Sequence, residues 1–243
     1  MDQVITPQWP APAHVKAYTT TRLGGVSKAP FNSFNLGAHV GDDPSHVAHN
    51  RQQLKALLGF KGEVQWLNQI HSAEVATLPA ESLSAADASF SAQPNVVCAV
   101  LTADCLPVLM TDAAGTQVAA AHAGWRGLCD GVLENTLAQF SEPTEVVAWL
   151  GPAIGPQVFE VGDEVRAAFV SVDPAAEAAF TKRDQPGKWL ADLYQLARQR
   201  LIKAGCEQIY GGNECTYSDV ERFYSYRRDQ QTGRMASLIW LEK

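Results

Sequence analysis

The sequence predicts a mixed fold of the α/β or α+β class, and three observations carry that expectation. Short apolar runs of strand length alternate with helix-period segments; Asp43-Pro44 writes a helix start that Gly59 stops; and two apolar runs flank the turn residues Asp112-Ala113-Ala114-Gly115. In chain order, VKAYTTT at 15–21 is the first expected strand. The helix that follows has Asp43 as N-cap, Pro44 in its first turn, and Val47, Leu54, Leu57 and Leu58 as its apolar stripe. Apolar and β-branched runs then predict strands over 64–69, 96–102, 106–111, 117–121 and 146–150. Helices are expected over 127–140, 163–170 and 189–204, and two last strands over 223–227 and 236–241. No internal repeat, low-complexity tract or charge block divides the chain, so one domain spanning residues 1–243 is expected.

Composition narrows the function. The 19 basic and 26 acidic side chains leave a net charge of −7, which argues against a nucleic-acid partner, since such proteins concentrate positive charge to neutralise phosphates. No apolar run approaches the ~18 residues that span a bilayer. The first ten residues, MDQVITPQWP, lack a basic and apolar leader, so a cytoplasmic location and no membrane partner are expected. Five cysteines without a C-x-x-C pair suit free thiols acting as nucleophile or ligand. No heptad or repeat forces assembly, and a monomer is the expectation.

The hairpin bears on chemistry. With a two-residue loop at Ala113-Ala114, Cys105 and His122 would be directly opposed at its open end, on one face of the sheet. Adding His71 gives two imidazoles and one thiolate. Three protein ligands with a fourth position open is how catalytic zinc is held, although ordinary buried residues show the same letters. His46 and His49, at i and i+3 on the first helix, have no thiolate or carboxylate partner in view and read as a solvated face. Arg126 follows His122 into a helix start, and Arg22 stands beside Gly24-Gly25; each suits an anion such as phosphate and equally a structural turn. Arg227 and Arg228 read as an anion site or as an ion-pair network. The loop 150–156, LGPAIGP, suits a substrate-shaping backbone or a plain turn.

Several long motifs resemble one family. TTRLGGVS, NLGAHVGDDP, LNQIHSAEV, TADCLPVL, AAAHAGWRG, WLGPAIGP, FEVGDEV, CTYSD and FYSYRRDQQTGRMASLIWL are similar to those of the bacterial YfiH family, also called DUF152 or laccase-domain proteins, along nearly the whole chain. The resemblance implies a mixed α/β sandwich, grouped by fold with bacterial deamidating toxins that use a Cys and His pair. It also implies a metal triad of His71, Cys105 and His122.

Three activities come with the resemblance. They are phosphorolysis of purine nucleosides (adenosine, inosine, methylthioadenosine) with adenosine deaminase activity, laccase-type polyphenol oxidation, and editing of peptidoglycan precursors by a Cys/His amide hydrolase. A multicopper laccase needs roughly ten histidines, largely in H-x-H pairs. This chain has six histidines and no H-x-H, which ranks the purine reading first. Zinc is the expected metal, with copper able to occupy the same ligands. In that reading Cys105, His122 and Asp104 are the expected catalytic residues, Asp104 as proton carrier or orienter. Arg22 and Arg126 are expected to face phosphate, and Asn35 and Gln69 to face sugar or base.

Overall fold

Two sheets stacked face to face, with helices outside the larger one and a helix outside the smaller, make an α/β sandwich of the expected class. The structure is a computed structural model that describes residues 2–82, 84–142 and 145–243. The smaller sheet has the order β1 (Val4–Ile5), β2 (Val15–Thr20), β13 (Met235–Leu241), β5 (Cys98–Thr102), all antiparallel. The larger runs β12 (Gln208–Gly211), β8 (Val146–Leu150), β6 (Leu106–Asp112), β7 (Val118–Ala123), β4 (Ala88–Ser91), β3 (Val75–Thr77). A third, small sheet of β9 (Glu160–Gly162), β10 (Phe180–Lys182) and β11 (Lys188–Ala191) accompanies the outer helices.

Period-2 alternation builds the layers. On β5, Cys98 and Val100 face the larger sheet while Ala99 and Leu101 face outward. On β13, Ile239 and Leu241 point inward, and Ala236, Leu238 and Trp240 pack under α1 (Pro44–Leu58) with Phe34, Leu54 and Phe60. The larger sheet answers with Leu109, Val118, Ala120 and Trp149 on the shared face. Its other face carries Val108, Met110, Ala121 and Ala148 against α2 (Trp125–Asp130), α3 (Val132–Leu137), α4 (Asp163–Val172) and α5 (Leu193–Lys203). Strands covered on both faces read as continuous apolar runs, which is why the sequence shows them so clearly.

Four local expectations differ from the structure, each for a visible reason. Residues 64–69 form only isolated bridges at Val64 and Asn68, because the Gln69 amide takes both backbone groups of Leu101 in place of a ladder partner. The helix expected over 127–140 begins at Trp125 and breaks at Gly131, whose φ of 99° is the left-handed region glycine favours. Trp189 belongs to β11, and α5 starts only after Asp192, whose carboxylate accepts the Gln195 N–H as an N-cap. The strand expected over 223–227 is a loop entering the short α6 (Tyr226–Asp229), capped by Ser225 through the Arg228 N–H. Among the described residues, no helix is long and apolar enough to cross a membrane.

Candidate metal centre

The centre forms where the chain crosses from one sheet to the other. β5 ends at Thr102, residues 103–105 make the crossing, and β6 begins at Leu106. Asp104 takes a φ of 89° in that crossing, a conformation unusual for a residue with a Cβ. β6 then pairs with β7 in a register that puts His122 opposite Pro107. The hairpin loop is therefore two residues longer than the sequence suggested, with Asp112 still hydrogen-bonded to Gln117. A slip of two residues keeps every side chain on its face, so Cys105 and His122 still converge, now as diagonal rather than direct partners.

The third residue arrives from the other direction. His71, with φ 63°, sits on the loop before β3. Its Nε2 lies 3.8 Å from Cys105 Sγ, and its ring meets the His122 ring edge-on with centroids 4.9 Å apart. One donor atom from each of His71, Cys105 and His122 lies within 4.8 Å of the other two. Ligands at ~2.0–2.3 Å from one tetrahedral ion stand roughly 3.3–3.8 Å apart, so the donor set fits a metal held by two nitrogens and one sulfur. His122 is buried, Cys105 half-buried and His71 exposed.

Asp87 holds the two histidines and was not singled out in the sequence. It precedes β4 and is fully buried. His122 Nδ1 lies 2.8 Å from its Oδ1, which leaves Nε2 to face the cluster. The same carboxylate accepts the backbone N–H groups of Ile70, His71 and Ser72 and the Ser72 hydroxyl. One carboxylate thus fixes the orientation of one imidazole and the loop that carries the other. Burial alone would raise its pKa. The hydrogen bonds from His122 and Ser72, with the His122 charge, outweigh burial and hold the carboxyl well below the usual range. Nothing in AADASF marks this aspartate from its neighbours, because its partners lie elsewhere in the sequence.

Cys105 and His122 are electrostatically coupled. Burial opposes charging both. The mutual attraction and hydrogen bonding of thiolate and imidazolium, with further contributions from His71 and Asp87, bring the Cys105 thiol down to about 6 and His122 up to about 9. The metal-free centre is therefore a thiolate–imidazolium pair near neutrality, and a metal must displace the proton from His122 Nε2.

Gly124 closes the centre from below. A Cβ there would stand 2.8 Å from His71 Cδ2 and 3.1 Å from Cys105 Sγ. Gly124→Ala is expected to part these two ligands and weaken metal affinity about tenfold or more, at the scale of lost ligand support. Competition with a chromophoric chelator reads this directly.

Beside Cys105 opens a cleft of about 180 Å³ lined by Trp125, Phe159, Tyr226, Ile154, Leu193 and Arg227. Its walls are aromatic and aliphatic, suited to a flat apolar ring. Ile154 places the expected loop 150–156 at the site, and Arg227 Nη1 donates to Glu160 O across the wall. Trp125, Phe159 and Tyr226 carried no functional signal in the sequence.

Of the remaining sequence candidates, Asp104 lines the cleft beside Cys105, and its carboxylate accepts from Thr216 Oγ1, Ser225 Oγ and the Arg227 N–H; the others are dispersed. Asn35 is buried and bonded to Gly37, Asp42 and the Arg234 N–H. Gln69 closes on Leu101. Arg22 donates to Asn32 O and Val220 O and stacks on Tyr224. Arg126 is exposed, with its guanidinium 4.3 Å from the centroid of Trp125, the cleft residue beside it.

The chain is similar to known proteins over nearly its whole length. Residues 16–242 match the family model described as multi-copper polyphenol oxidoreductase laccase. The purine nucleoside phosphorylase YfiH of Escherichia coli K12 is 57% identical over 244 residues, covering 99% of this chain and 100% of that protein. A purine nucleoside phosphorylase of Pseudomonas aeruginosa is 54% identical, with both chains covered in full. A crystal structure of a Neisseria meningitidis DUF152 protein superposes with a TM-score of 0.95 at 52% identity over the whole of both chains. Shared fold, full-length identity and the matched family model together place this chain in the YfiH (DUF152, laccase-domain) family.

Proposed function

We infer that the chain is a zinc-dependent purine nucleoside phosphorylase that also deaminates adenosine. The observation that carries this reading is the open three-ligand set His71, Cys105 and His122 beside an apolar, aromatic-walled cleft. The names of its full-length relatives point the same way.

His71, Cys105 and His122 would hold the ion, which when bound supplies Lewis-acid polarisation and lowers the pKa of water. The protein side of the chemistry follows from the walls. Trp125, Phe159 and Tyr226 hold the purine and exclude water, and Ile154 limits its depth. In phosphorolysis a phosphate oxygen forms a bond to C1′ as the C1′–N9 bond breaks. The electron pair leaves on the base, which takes up a proton, giving free purine and pentose 1-phosphate. In deamination water replaces the amine at C6 and ammonia leaves. Asp104 keeps the Cys105 crossing joined to the segment carrying Tyr226 and Arg227, which supports the orienting role over that of proton carrier.

The copper-oxidase description of the family fits this chain poorly. Among the described residues one His/Cys/Asp/Glu cluster exists, against the several centres a multicopper oxidase requires. A second reading has an observation in its favour: Cys105, His122 and Asp87 stand in the order nucleophile, base and orienting carboxylate, as in a thiol amide hydrolase.

Chromatography of adenosine incubated with zinc-loaded enzyme tests the proposal. Adenine formed only with phosphate, inosine formed without it, and neither formed by Cys105→Ala are the expected results. No conversion in any condition contradicts it and turns attention to amides of cell-wall precursors.

A further inference from the structure

The centre has a cationic side chain with no assigned purpose. Met235 pairs with Thr102 across β13 and β5, so Arg234 enters the sheet beside Ala103, next to the crossing that carries Asp104 and Cys105. Its stem passes close to Gly37, where a Cβ would stand 2.8 Å from Arg234 Cγ, and its backbone is gripped by the same loop. Asn35 Oδ1 accepts the Arg234 N–H, and Arg234 O accepts the Leu36 N–H. The NLGAH segment is thus fitted around this one arginine.

The guanidinium is held but not neutralised. Nη1 donates to the carbonyls of Thr232 and Gly233, and the group lies 6.0 Å from the centroid of Tyr226, a wall of the Cys105 cleft. Among the described residues Arg234 forms no ion pair, and Nε and Nη2 make no hydrogen bond. Neither nitrogen is sealed from solvent. Nearby arginines differ: Arg222 is paired with Glu214 and Asp219, Arg228 with Asp229 and three carbonyls, and Arg22 with two carbonyls. Burial pushes the Arg234 pKa down, while the charges of Cys105 and Asp104 act on it in the opposite sense, which puts it within electrostatic reach of the centre. A largely buried cation without an acidic partner is unfavourable unless an anion completes it. Nε and Nη2 form the side-on edge of a guanidinium, the fork that matches two oxygens of a phosphate.

We propose that Arg234 is the phosphate-binding cation of this site, its Nε/Nη2 edge donating to two oxygens of inorganic phosphate beside the Cys105 crossing. The assignment rests on the phosphorylase reading for its role and on the geometry for its existence. It moves the phosphate clamp from Arg22, whose nitrogens are already engaged, to the residue immediately before β13.

The test is the initial rate of inosine phosphorolysis by zinc-loaded enzyme as phosphate is varied, for wild type, Arg234→Gln, Arg234→Lys and Arg126→Gln. Glutamine can keep one of the two hydrogen bonds, and the loss of one charge-assisted bond corresponds to a change of about 10- to 100-fold. Arg234→Gln is expected to raise the phosphate KM by about that factor, with inosine KM and zinc content unchanged. Arg234→Lys, which keeps the charge and the stem past Gly37, is expected to recover part of the loss. An unchanged phosphate KM in Arg234→Gln, or an increase confined to Arg126→Gln, overturns the proposal. If wild type performs no phosphorolysis, the functional reading fails, and calorimetric titration with inorganic phosphate decides separately. Binding to wild type that Arg234→Gln loses supports an anion site; absent binding, or equal binding to both, overturns it.

Discussion

Asp87→Ala is expected to cost about 3–5 kcal/mol of stability, the scale for removing one partner of a buried charged network. The deletion leaves His122 Nδ1 and three N–H groups of residues 70–72 facing a void. It also frees both histidine ligands, so metal affinity should fall about 10- to 100-fold in whatever protein still folds. Asp87→Asn separates charge from volume. It fills the space, yet turns an amide donor toward groups that are themselves donors, and it should lose about 1–3 kcal/mol. The pH dependence gives a second signature. The native Asp87 carboxyl lies below its unfolded value of about 3.9, so its stabilisation is complete above about pH 4 and is lost as pH falls toward the native pKa. Acid unfolding of the metal-free wild type should therefore steepen below about pH 4, and the Asn variant should lack that part of the slope. Equal slopes would show that Asp87 is not the linked group.

Stripping the metal is expected to abolish purine conversion, with one equivalent of zinc per chain restoring it. The same operation should expose a reactive thiol. In the metal-free centre the Cys105 thiol is brought down to about 6, so it is largely thiolate at neutral pH and should alkylate ahead of Cys98 and Cys206, whose thiols burial pushes up to about 12 and about 11. Bound metal should protect it. Mass spectrometry of iodoacetamide-treated holo and stripped protein reads both effects. Activity that survives chelation but not alkylation would favour the thiol hydrolase reading instead.

The strands that cross the sandwich were legible because burial on both faces writes an apolar run, and α1 was legible because Asp43, Pro44 and Gly59 mark its ends chemically. The hairpin was legible in its consequence rather than its detail. Its loop is longer than expected, and only because the slip was even did Cys105 stay on the face of His122. His71 was added to that pair by residue type and tied to it only by resemblance, since the loop that delivers it is shaped by Asp87, a residue distant in sequence. Arg22, Asn35 and Gln69 show the converse limit. Their donors satisfy loop carbonyls and amides whose positions no local pattern reveals. Arg234 went unremarked for the same reason: its distinction is the absence of a partner, which only the fold can show.

The central claim is that His71, Cys105 and His122 together bind one catalytic metal ion, and elemental analysis of wild type and the three single alanine variants tests it most directly. Near-stoichiometric metal in wild type, lost from each variant while each remains folded by circular dichroism, is the predicted result. Stoichiometric metal retained by Cys105→Ala, or a folded wild type that takes up none from excess zinc, would contradict it.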